Sequence, residues 1–402
     1  MRASELRPAV ELPTRRDDPI SPPPDLLSLH DEASLRPLQY PDGHVGWLVT
    51  SYELARSVLS DPRFSARSES KHVPVLRPGA DPFIGQPALP GWFVDLDPPE
   101  HTRIRRTLAG RFTLRRIAEL SGLVERVTAD QLDQFLSRAD SPSDLVAGFA
   151  LPIPSRVISE LLGVPYGDAA MFQRLSAVLF DLDASAELAR SAMQELTDYL
   201  VSLVGPQRSA PDGSLLGTMA STSDLSDIEI AGAGVLLLTA GHETVASMLG
   251  LSAFTLLTNP GLLASVRSGD TTWADTVEEL LRYLTIFQFG VPRSPLEDVE
   301  LAGEVLRPGE TVTVSLPGAN RDAAQFDRPG ELRPAAHRRS HLAFGFGPHQ
   351  CIGQHLARLE LRVALDTLFR RAPQLSLAAD PADLHFHDDV GFYAVHHLPV
   401  RW

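Results

Sequence analysis

Hydrophobic residues recur at helical spacing over most of this chain and predict a mainly helical protein. Residues 99–204 keep this spacing with short interruptions, and an apolar run over residues 225–258 predicts one long helix. Residues 273–285 repeat apolar side chains at i, i+3, i+4 and i+7, which predicts a helix buried on one face. Residues 352–371 are apolar on most sides, so this last predicted helix should be buried on most sides.

Shorter runs of β-forming residues predict a small amount of sheet. Residues 45–50 predict a strand, residues 293–315 alternate β-forming runs with turns, and residues 375–402 repeat that pattern. The fold class is therefore mainly α (α+β), with a large helical part and a small β-rich part. We expect a single domain over residues 1–402, in which the proline-rich residues 1–24 lie loosely on the surface.

Charge and cysteine content exclude several classes of protein. The formal net charge of −15 argues against nucleic acid as a partner, because phosphate binding needs a basic surface. Lys71 is the only lysine, and the single cysteine excludes a disulfide within the chain. The most apolar segment carries His242 and Glu243 at its centre, which predicts a buried helix and not a membrane span. We expect a soluble cytoplasmic protein.

The single cysteine, Cys351, lies between a glycine-rich loop and the start of a predicted helix. A sulfur at a helix N-terminus is next to the positive end of the helix dipole, which favours the thiolate. Gly345, Gly347 and Gly353 let the backbone approach the sulfur and direct N–H groups toward it. Such a thiolate is a metal ligand or a nucleophile, and the alternative is a buried, inert thiol.

Two polar clusters lie on otherwise apolar predicted helices. In the long helix, Gly241 precedes Glu243 and Thr244, which predicts a cavity where a small molecule meets a proton donor. The alternative is a threonine bonded to its own helix, with Glu243 paired elsewhere. Glu279 and Arg282 are three residues apart on another helix and can pair, although an ordinary surface pair fits the same spacing.

Isolated cations recur in other segments of the chain. His101 and Arg105 lie four residues apart on one face of a predicted helix. Arg293 and His349 stand alone in later segments. These four residues either hold an anion together or belong to separate solvated surfaces, and the spacing alone does not distinguish the two arrangements.

Together these residues resemble a cytochrome P450 of the soluble bacterial type. Three motifs carry the resemblance: the haem-binding signature at residues 344–353, the ExxR motif at residues 279–282 and the oxygen-activating motif at residues 240–244. Further matches at residues 47–52, 59–64, 97–101 and 319–322 extend the similarity over nearly the whole chain. Residues 279–285, followed by Gln288, resemble actinobacterial members in particular.

The resemblance implies haem b between the long central helix and the helix of the cysteine loop, with Cys351 as the axial ligand of the iron. It implies that Glu243 and Thr244 are catalytic and serve O₂ activation, and that Glu279 and Arg282 form a buried structural pair. The haem propionates would be neutralised by His101, Arg105, Arg293 and His349. The full set of implied cofactor-binding residues is His101, Arg105, Ala240, Gly241, Thr244, Arg293, Phe344, Gly345, His349, Cys351 and Gly353.

One position departs from the family pattern. Many relatives place an arginine, which completes a triad with the ExxR pair, where this chain has Ala336. We expect Arg333, His337 or Arg338 to replace it, and the sequence does not select one of the three.

The resemblance implies a monooxygenase that hydroxylates or epoxidises a lipophilic small molecule, as in secondary metabolism. The alternative is a P450 that couples or rearranges its substrate without oxygen insertion. The expected pocket residues are Phe180, Leu236, Ala240, Phe287, Phe289 and Phe392, with the loop at residues 74–90 as a further wall. A cysteine hydrolase that uses His349 or His355, and a haem sensor without turnover, explain fewer of the motifs.

Electrons are expected from NAD(P)H through separate redox proteins, because the chain contains no flavin or nucleotide motif. A ferredoxin and its reductase are the implied partners of a monomeric enzyme. The ferredoxin would dock on arginines near the cysteine loop, for which the candidates are Arg103, Arg106, Arg358 and Arg362.

Overall fold

The computed structural model describes residues 8–402 except 76–77, 80–82, 84, 139–141, 182, 335, 337–340 and 388–389. Within these residues the chain is mainly helical, as the sequence predicts. The helices are α1 (Pro24–Glu32), α2 (Tyr52–Ser60), α3 (Glu100–Ala109), α4 (Leu114–Glu119), α5 (Ser121–Leu136), α6 (Pro152–Leu162), α7 (Ala169–Phe180), α8 (Ala186–Gln207), α9 (Leu215–Thr222), α10 (Asp227–Thr258), α11 (Pro260–Ser268), α12 (Trp273–Leu284), α13 (Leu316–Ala319) and α14 (Gln354–Arg371).

The β-rich part is small, which confirms the predicted α+β class. Its strands are β1 (Leu35–Gln39), β2 (Val45–Val49), β3 (Phe64–Ser65), β4 (Ser143–Asp144), β5 (Val291–Pro295), β6 (Val299–Leu301), β7 (Glu304–Leu306), β8 (Val312–Val314), β9 (Ser376–Leu377) and β10 (Pro399–Arg401). They form a five-stranded sheet in the order β1-β2-β8-β5-β3, a three-stranded sheet in the order β4-β10-β9 and the pair β6-β7.

The long helix α10 is the centre of the helical part. A capping box closes its first turn, in which the side chains of Ser226 and Glu229 each accept a backbone N–H of the other residue. The helix packs against α6, α8, α9 and α14, and most of its residues are buried. Among the described helices only α10 is long and apolar enough to cross a membrane, and 72% of its most apolar stretch is buried inside the protein.

The five-stranded sheet joins distant parts of the chain. β2 pairs in parallel with β8, with Trp47 opposite Val312, and β5 pairs antiparallel to β8, with Arg293 opposite Val312. β3 extends the sheet and places Ser65 opposite Ser294. Arg293 is therefore held beside the segment that follows β3, although more than 200 residues separate the two in sequence.

The N-terminal segment is packed where the structure describes it. The Val10 N–H donates to the Pro37 carbonyl at 3.2 Å, and the Gln39 N–H donates to the Val10 carbonyl at 2.8 Å. Leu12 is buried in a cluster with Leu26. Val10 thus extends the edge of β1 and Leu12 joins a core cluster, so the segment is not loose at these two residues; residues 1–7 lie outside the described residues.

The last helix, α14, buries an ionisable side chain. Glu360 is 2% exposed, and its Oε2 atom has no hydrogen-bond partner among the described residues. Burial raises the pKa of this carboxyl group to about 8. The group is therefore mostly protonated in the folded protein at neutral pH, whereas the same group in the unfolded chain is ionised.

Glu360→Gln is expected to stabilise the protein at alkaline pH. In the unfolded chain the carboxyl group has a pKa near 4.5 and releases its proton above that pH, whereas the folded protein keeps the proton up to about pH 8. This residue therefore lowers the stability as pH rises from about 4.5 to 8. The free energy of unfolding is measured for both proteins at pH 5 and pH 8. The difference between the variant and the wild type should shift in favour of the variant by about 2 kcal/mol or more from pH 5 to pH 8. The exposed Glu300→Gln serves as control and should follow the wild type. Parallel profiles for Glu360→Gln and the wild type would contradict the burial argument.

Candidate active site

The side chain of Cys351 is accessible to solvent although protein surrounds it closely. Cys351 follows a 3₁₀ turn, Gly347–His349, and precedes α14. Its backbone N–H donates to the Phe344 carbonyl at 2.9 Å, and its sulfur accepts N–H groups of Gly353 and Gln354. Enough protein surrounds the sulfur for burial to affect its ionisation.

Burial raises the pKa of the Cys351 thiol. The N–H group of Gly353 and the charges of Arg105 and Arg358 act in the opposite direction, but burial outweighs them. The N–H groups at the helix start do favour the thiolate, as the sequence predicts, but they do not decide the direction of the pKa shift. A metal cation bound to the sulfur would reverse the balance, so the site suits a metal ligand better than a free nucleophile.

Two helices hold the cysteine loop in place. Gly347 has a φ of +73°, and a Cβ at this position would lie 2.3 Å from the carbonyl oxygen of Leu59 in α2. The loop can therefore approach the end of α2 only because this residue is glycine. On the other side, Arg105 of α3 donates to the Gln350 carbonyl.

One turn of α10 has accessible side chains within an otherwise buried helix. Ala240, Glu243, Thr244 and Ser247 are half-buried and lie on one face, whereas His242 between them is buried. This accessible face predicts a cavity beside the helix at the position that the sequence indicated. The structure therefore brings the acid and the alcohol to one accessible surface.

The hydroxyl group of Thr244 donates to the carbonyl of Ala240 at 2.7 Å. This is the self-bonded threonine that the sequence left open as an alternative. Because the hydrogen is directed into the helix, the free lone pairs of the oxygen are available as hydrogen-bond acceptors. Glu243 Oε1 lies 3.1 Å from Nε2 of His242, whose Nδ1 bonds to the Leu238 carbonyl at 2.9 Å.

Gly241 has a packing role that differs from the one expected. A Cβ at this position would lie 3.1 Å from Cγ1 of Ile158 in α6. The missing side chain thus allows α6 and α10 to pack closely, and the structure does not assign it to an open cavity. Its predicted contact with the cofactor stays a prediction.

The predicted cations come together in space. The rings of His101 and His349 are 4.1 Å apart between centroids, and neither ring nitrogen of His101 has a hydrogen-bond partner among the described residues. Burial, together with the charges of Arg105 and Arg293, lowers the pKa of His101 to about 4 and that of His349 to about 2. Four residues from three parts of the chain therefore surround one site that has an excess of hydrogen-bond donors.

Lys71 belongs to the same cluster and was not predicted. Its charge is among those that lower the pKa of His349, and Arg293 in turn lowers the pKa of Lys71, after the larger effect of burial. The Lys71 ammonium lies 2.6 Å from Oδ1 of Asp95. Its status as the only lysine was the one available signal, and no motif or spacing linked it to the other cations.

The Glu279–Arg282 pair is fully buried, as the family resemblance implies. Both carboxylate oxygens of Glu279 accept from Arg282, at 2.7 and 2.9 Å, and the two side chains are 2% and 0% exposed. The remaining guanidinium N–H groups of Arg282 donate to the carbonyls of Asn320, Pro329 and Glu331. All five donors of the arginine are therefore used.

A backbone group contacts the Glu279–Arg282 pair from the segment where many relatives carry the family arginine. The N–H of Arg333 donates to Oε1 of Glu279 at 2.7 Å, and the Arg333 side chain binds Asp327 instead. Of the three proposed substitutes, Arg333 therefore reaches the pair through its main chain, while His337 and Arg338 lie outside the described residues.

Asn320 connects the Glu279–Arg282 pair with the cysteine loop. Its Oδ1 accepts the Leu342 N–H at 2.7 Å, and its Nδ2 donates to Thr285 Oγ1 at 2.8 Å. Leu342 in turn accepts the Gly345 N–H at 2.8 Å. A continuous set of hydrogen bonds thus connects α12 with the loop that carries Cys351.

Three of the expected pocket aromatics form one cluster. The ring of Phe392 contacts those of Phe180 and Phe287 edge to face, with centroids 5.1 and 5.3 Å apart, and all three residues are half-buried. Phe289 and Leu236 are instead buried in core clusters. The side chains of these two residues pack among other apolar residues, and their place in the pocket stays a prediction.

The loop at residues 74–90 lies partly outside the described residues, but its end is anchored on α10. A Cβ on Gly232 would lie 1.9 Å from the Pro90 carbonyl oxygen, and one on Gly91 would lie 2.0 Å from the Glu229 carbonyl oxygen. Two glycines therefore allow the loop and the helix to touch through their backbones. The sequence shows these glycines, but it does not show which backbone segment each of them contacts.

Two of the four predicted docking arginines are neutralised. Arg103 binds Glu229, and Arg358 forms a bidentate pair with Glu278 while its guanidinium covers the ring of Phe344 at 4.5 Å. Their role as free surface charges is therefore corrected. Arg106 and Arg362 are exposed and have no ion pair within the part of the chain that the structure describes.

Comparison with known proteins identifies the family. The family model described as cytochrome P450 matches residues 273–372. Cytochrome P450-SU2 of Streptomyces griseolus is 42% identical, and the match covers 96% of this chain and 94% of that protein. The chain belongs to the cytochrome P450 family. Its similarity to relatives named as monooxygenases and hydroxylases makes this P450 a monooxygenase.

Solved P450 structures share the whole fold. CYP105P1 in complex with filipin I superposes with a TM-score of 0.89 at 38% identity, over 98% of this chain and 99% of that one. The mycinamicin VIII C21 methyl hydroxylase MycCI of Micromonospora griseorubida superposes with a TM-score of 0.87 at 34% identity, over 96% and 98% of the two chains.

The residues of this P450 fit the haem that its family implies. Burial keeps the Cys351 thiol protonated in the absence of a cation, and an iron ion supplies that cation. Both ring nitrogens of His101 and Nδ1 of His349 are buried without partners, next to Arg105 and Arg293. Two carboxylates that enter such a cluster would satisfy these donors and balance the charges.

Proposed function

We propose that this P450 hydroxylates or epoxidises a lipophilic small molecule with oxygen taken from O₂. The observation that carries the proposal is the accessible face of α10, where the acceptor hydroxyl of Thr244 lies next to the acid Glu243. Productive use of O₂ needs protons at the reacting oxygen, and these two residues can supply them. A coupling or rearrangement enzyme is the alternative, and product analysis distinguishes the two.

The cofactor of this reaction would be haem b, held by Cys351, two arginines and two histidines. Haem supplies O₂ activation and the oxidation itself, favoured by electron donation from the thiolate. The carboxylates would be held by His101, Arg105, Arg293 and His349. Phe344, Gly345 and Gly353 would form the protein surface around the sulfur, and Ala240 and Gly241 the surface on α10.

Thr244 and Glu243 divide the proton transfer between them. The Oγ1 atom of Thr244 holds a water molecule or a protonated oxygen by accepting its hydrogen bond, since its own hydrogen is bound to Ala240. The Glu243 carboxylate is 25% exposed, so it can take up a proton from solvent and pass it inward. The order of events is therefore from solvent to Glu243 and then to the oxygen held at Thr244.

Thr244→Ala is expected to keep the haem spectrum and to lower product formed per NAD(P)H by about tenfold or more, because the proton is no longer delivered to the right oxygen atom. Product and peroxide are measured together with NAD(P)H consumption. Thr255→Val is the matched control, since Thr255 bonds to its own helix in the same way but is fully buried. Unchanged coupling in Thr244→Ala would remove this residue from the mechanism.

The substrate is proposed to be a lipophilic natural product. The aromatic cluster of Phe180, Phe287 and Phe392 provides an apolar surface, and rings that meet edge to face leave other faces free for a ligand. Two similar P450 structures are named with filipin I and mycinamicin VIII, which supports this class of substrate.

Electrons are proposed to come from NAD(P)H through a ferredoxin and its reductase, as the relatives suggest for this class. The exposed Arg106 and Arg362 lie on α3 and α14, the two helices next to the cysteine loop. An acidic protein would be attracted to these charges on an enzyme whose overall charge is −15. We propose a cytoplasmic, monomeric enzyme that needs neither membrane nor nucleic acid.

A further inference from the structure

Lys71 is held beside the proposed cofactor site by contacts on both of its sides. Its side chain is 10% exposed and its ammonium group lies 2.6 Å from Asp95 Oδ1. The carbonyl of the preceding residue, Ser70, accepts a hydrogen bond from the hydroxyl of Ser294. Ser294 follows Arg293 directly in β5, so this bond places Lys71 next to a predicted partner of the haem carboxylates.

The cations around this site outnumber the carboxylates that can balance them. Lys71, Arg105 and Arg293 all carry charges that act on His349. Asp95 binds Lys71, whereas both carboxylate oxygens of Asp97 are already bound by Ser65 and Ala66. Buried cations that share too few anions are unfavourable unless another anion enters. A further anion close to Lys71 would therefore stabilise this site.

We propose that Lys71 binds a carboxylate of the haem in addition to Asp95 and thereby ties the start of the loop at residues 71–90 to the loaded site. The proposal rests on the proposed cofactor site and adds to it a cation that lies outside all the recognised motifs. An ammonium group has three donors, so it can serve Asp95 and a second carboxylate at once.

The test compares haem with its dimethyl ester, which keeps the iron and the ring but lacks the carboxylate charges. The protein is loaded with either form, and the loss of haem to excess apomyoglobin is followed by absorbance. Lys71→Met should lose haem about tenfold faster than the wild type, because a charge-assisted hydrogen bond is removed. With the dimethyl ester the two proteins should lose the cofactor at the same rate.

Asp95→Asn separates this role from a simple tether of the loop. If Lys71 binds the haem carboxylate, Asp95→Asn removes a competitor for the ammonium group and should lose haem no faster than the wild type. If Lys71 only anchors the loop to Asp95, both variants should lose haem equally fast, which would overturn the proposal. Equal acceleration of Lys71→Met with haem and with the ester would overturn it as well.

The single lysine allows a second measurement on the unaltered protein, which decides the question if Lys71→Met does not fold. Acetylation of this side-chain amine, followed by mass spectrometry, should be about tenfold slower in the haem-loaded protein than in the ester-loaded one. Equal rates would overturn the role of Lys71 while leaving the haem site intact. A wild-type chain that binds no haem would instead contradict the proposed function.

Discussion

Cys351→His is expected to abolish the thiolate-type absorption of the reduced carbon monoxide complex, the band from which the family takes its name. Turnover should fall by more than about a hundredfold, since even residues that only support a metal ligand cost up to that factor. Haem should still bind, because the cations His101, Arg105, Arg293 and His349 are unchanged. The measurement is a reduced carbon monoxide difference spectrum, with haem content determined separately.

Two comparisons make the Cys351 result interpretable. Thr244→Ala should keep the thiolate band, since its hydroxyl bonds to the Ala240 carbonyl on α10 and not to the sulfur. A band that survives in Cys351→His would show that the axial ligand is another residue. A colourless wild-type protein with hydrolase activity lost in Cys351→His would favour the cysteine-nucleophile rival.

Arg282→Met is expected to destabilise the protein by about 3–5 kcal/mol, because the buried carboxylate of Glu279 would lose both of its hydrogen bonds from the guanidinium group. Three carbonyls, of Asn320, Pro329 and Glu331, would lose their donors at the same time. Denaturant unfolding of the purified variant measures the effect. The loss of haem should also accelerate, because Asn320 connects this pair with the cysteine loop through Leu342.

The surface pair Arg126–Glu160 provides the matched control. Its nitrogen and oxygen are 3.2 Å apart and both side chains are about half exposed, so Arg126→Met should cost less than about 1 kcal/mol. Replacing both Glu279 and Arg282 by apolar residues should recover part of the stability lost in Arg282→Met, because the unpaired charge is then absent. Similar costs for Arg282→Met and Arg126→Met would contradict the bracing role.

The cysteine loop could be predicted from sequence because its determinants are local. Gly347, Cys351 and the start of α14 lie within eight residues, and their order defines the turn and the helix start. The ionisation of the sulfur could not be predicted in the same way. Burial by the surrounding protein raises the pKa of the Cys351 thiol, while the charge of Arg105 on α3, distant in sequence, acts in the opposite direction.

The Glu279–Arg282 pair could also be predicted from the sequence only in part. A spacing of three residues on a helix predicts that the side chains can meet, but it does not distinguish a surface pair from a buried one. The carbonyls that use the remaining donors of Arg282 lie 38 to 49 residues further along the chain. The Arg333 N–H that donates to Glu279 is a main-chain contact, which the residue types in the sequence do not predict.

The sequence by itself determined the family and the mainly helical fold, and it predicts the metal-ligating cysteine and the residue types of the proton relay, because each depends on contiguous motifs or on the period of hydrophobic residues. Only the tertiary structure decided the direction of the Thr244 hydroxyl, the neutralisation of Arg103 and Arg358, the packing of residues 8–24 and the place of Lys71 among the cations. These features depend on contacts between segments far apart in the chain. Burial and electrostatic interactions act through space, so their outcome is settled only when the folded chain brings those segments together.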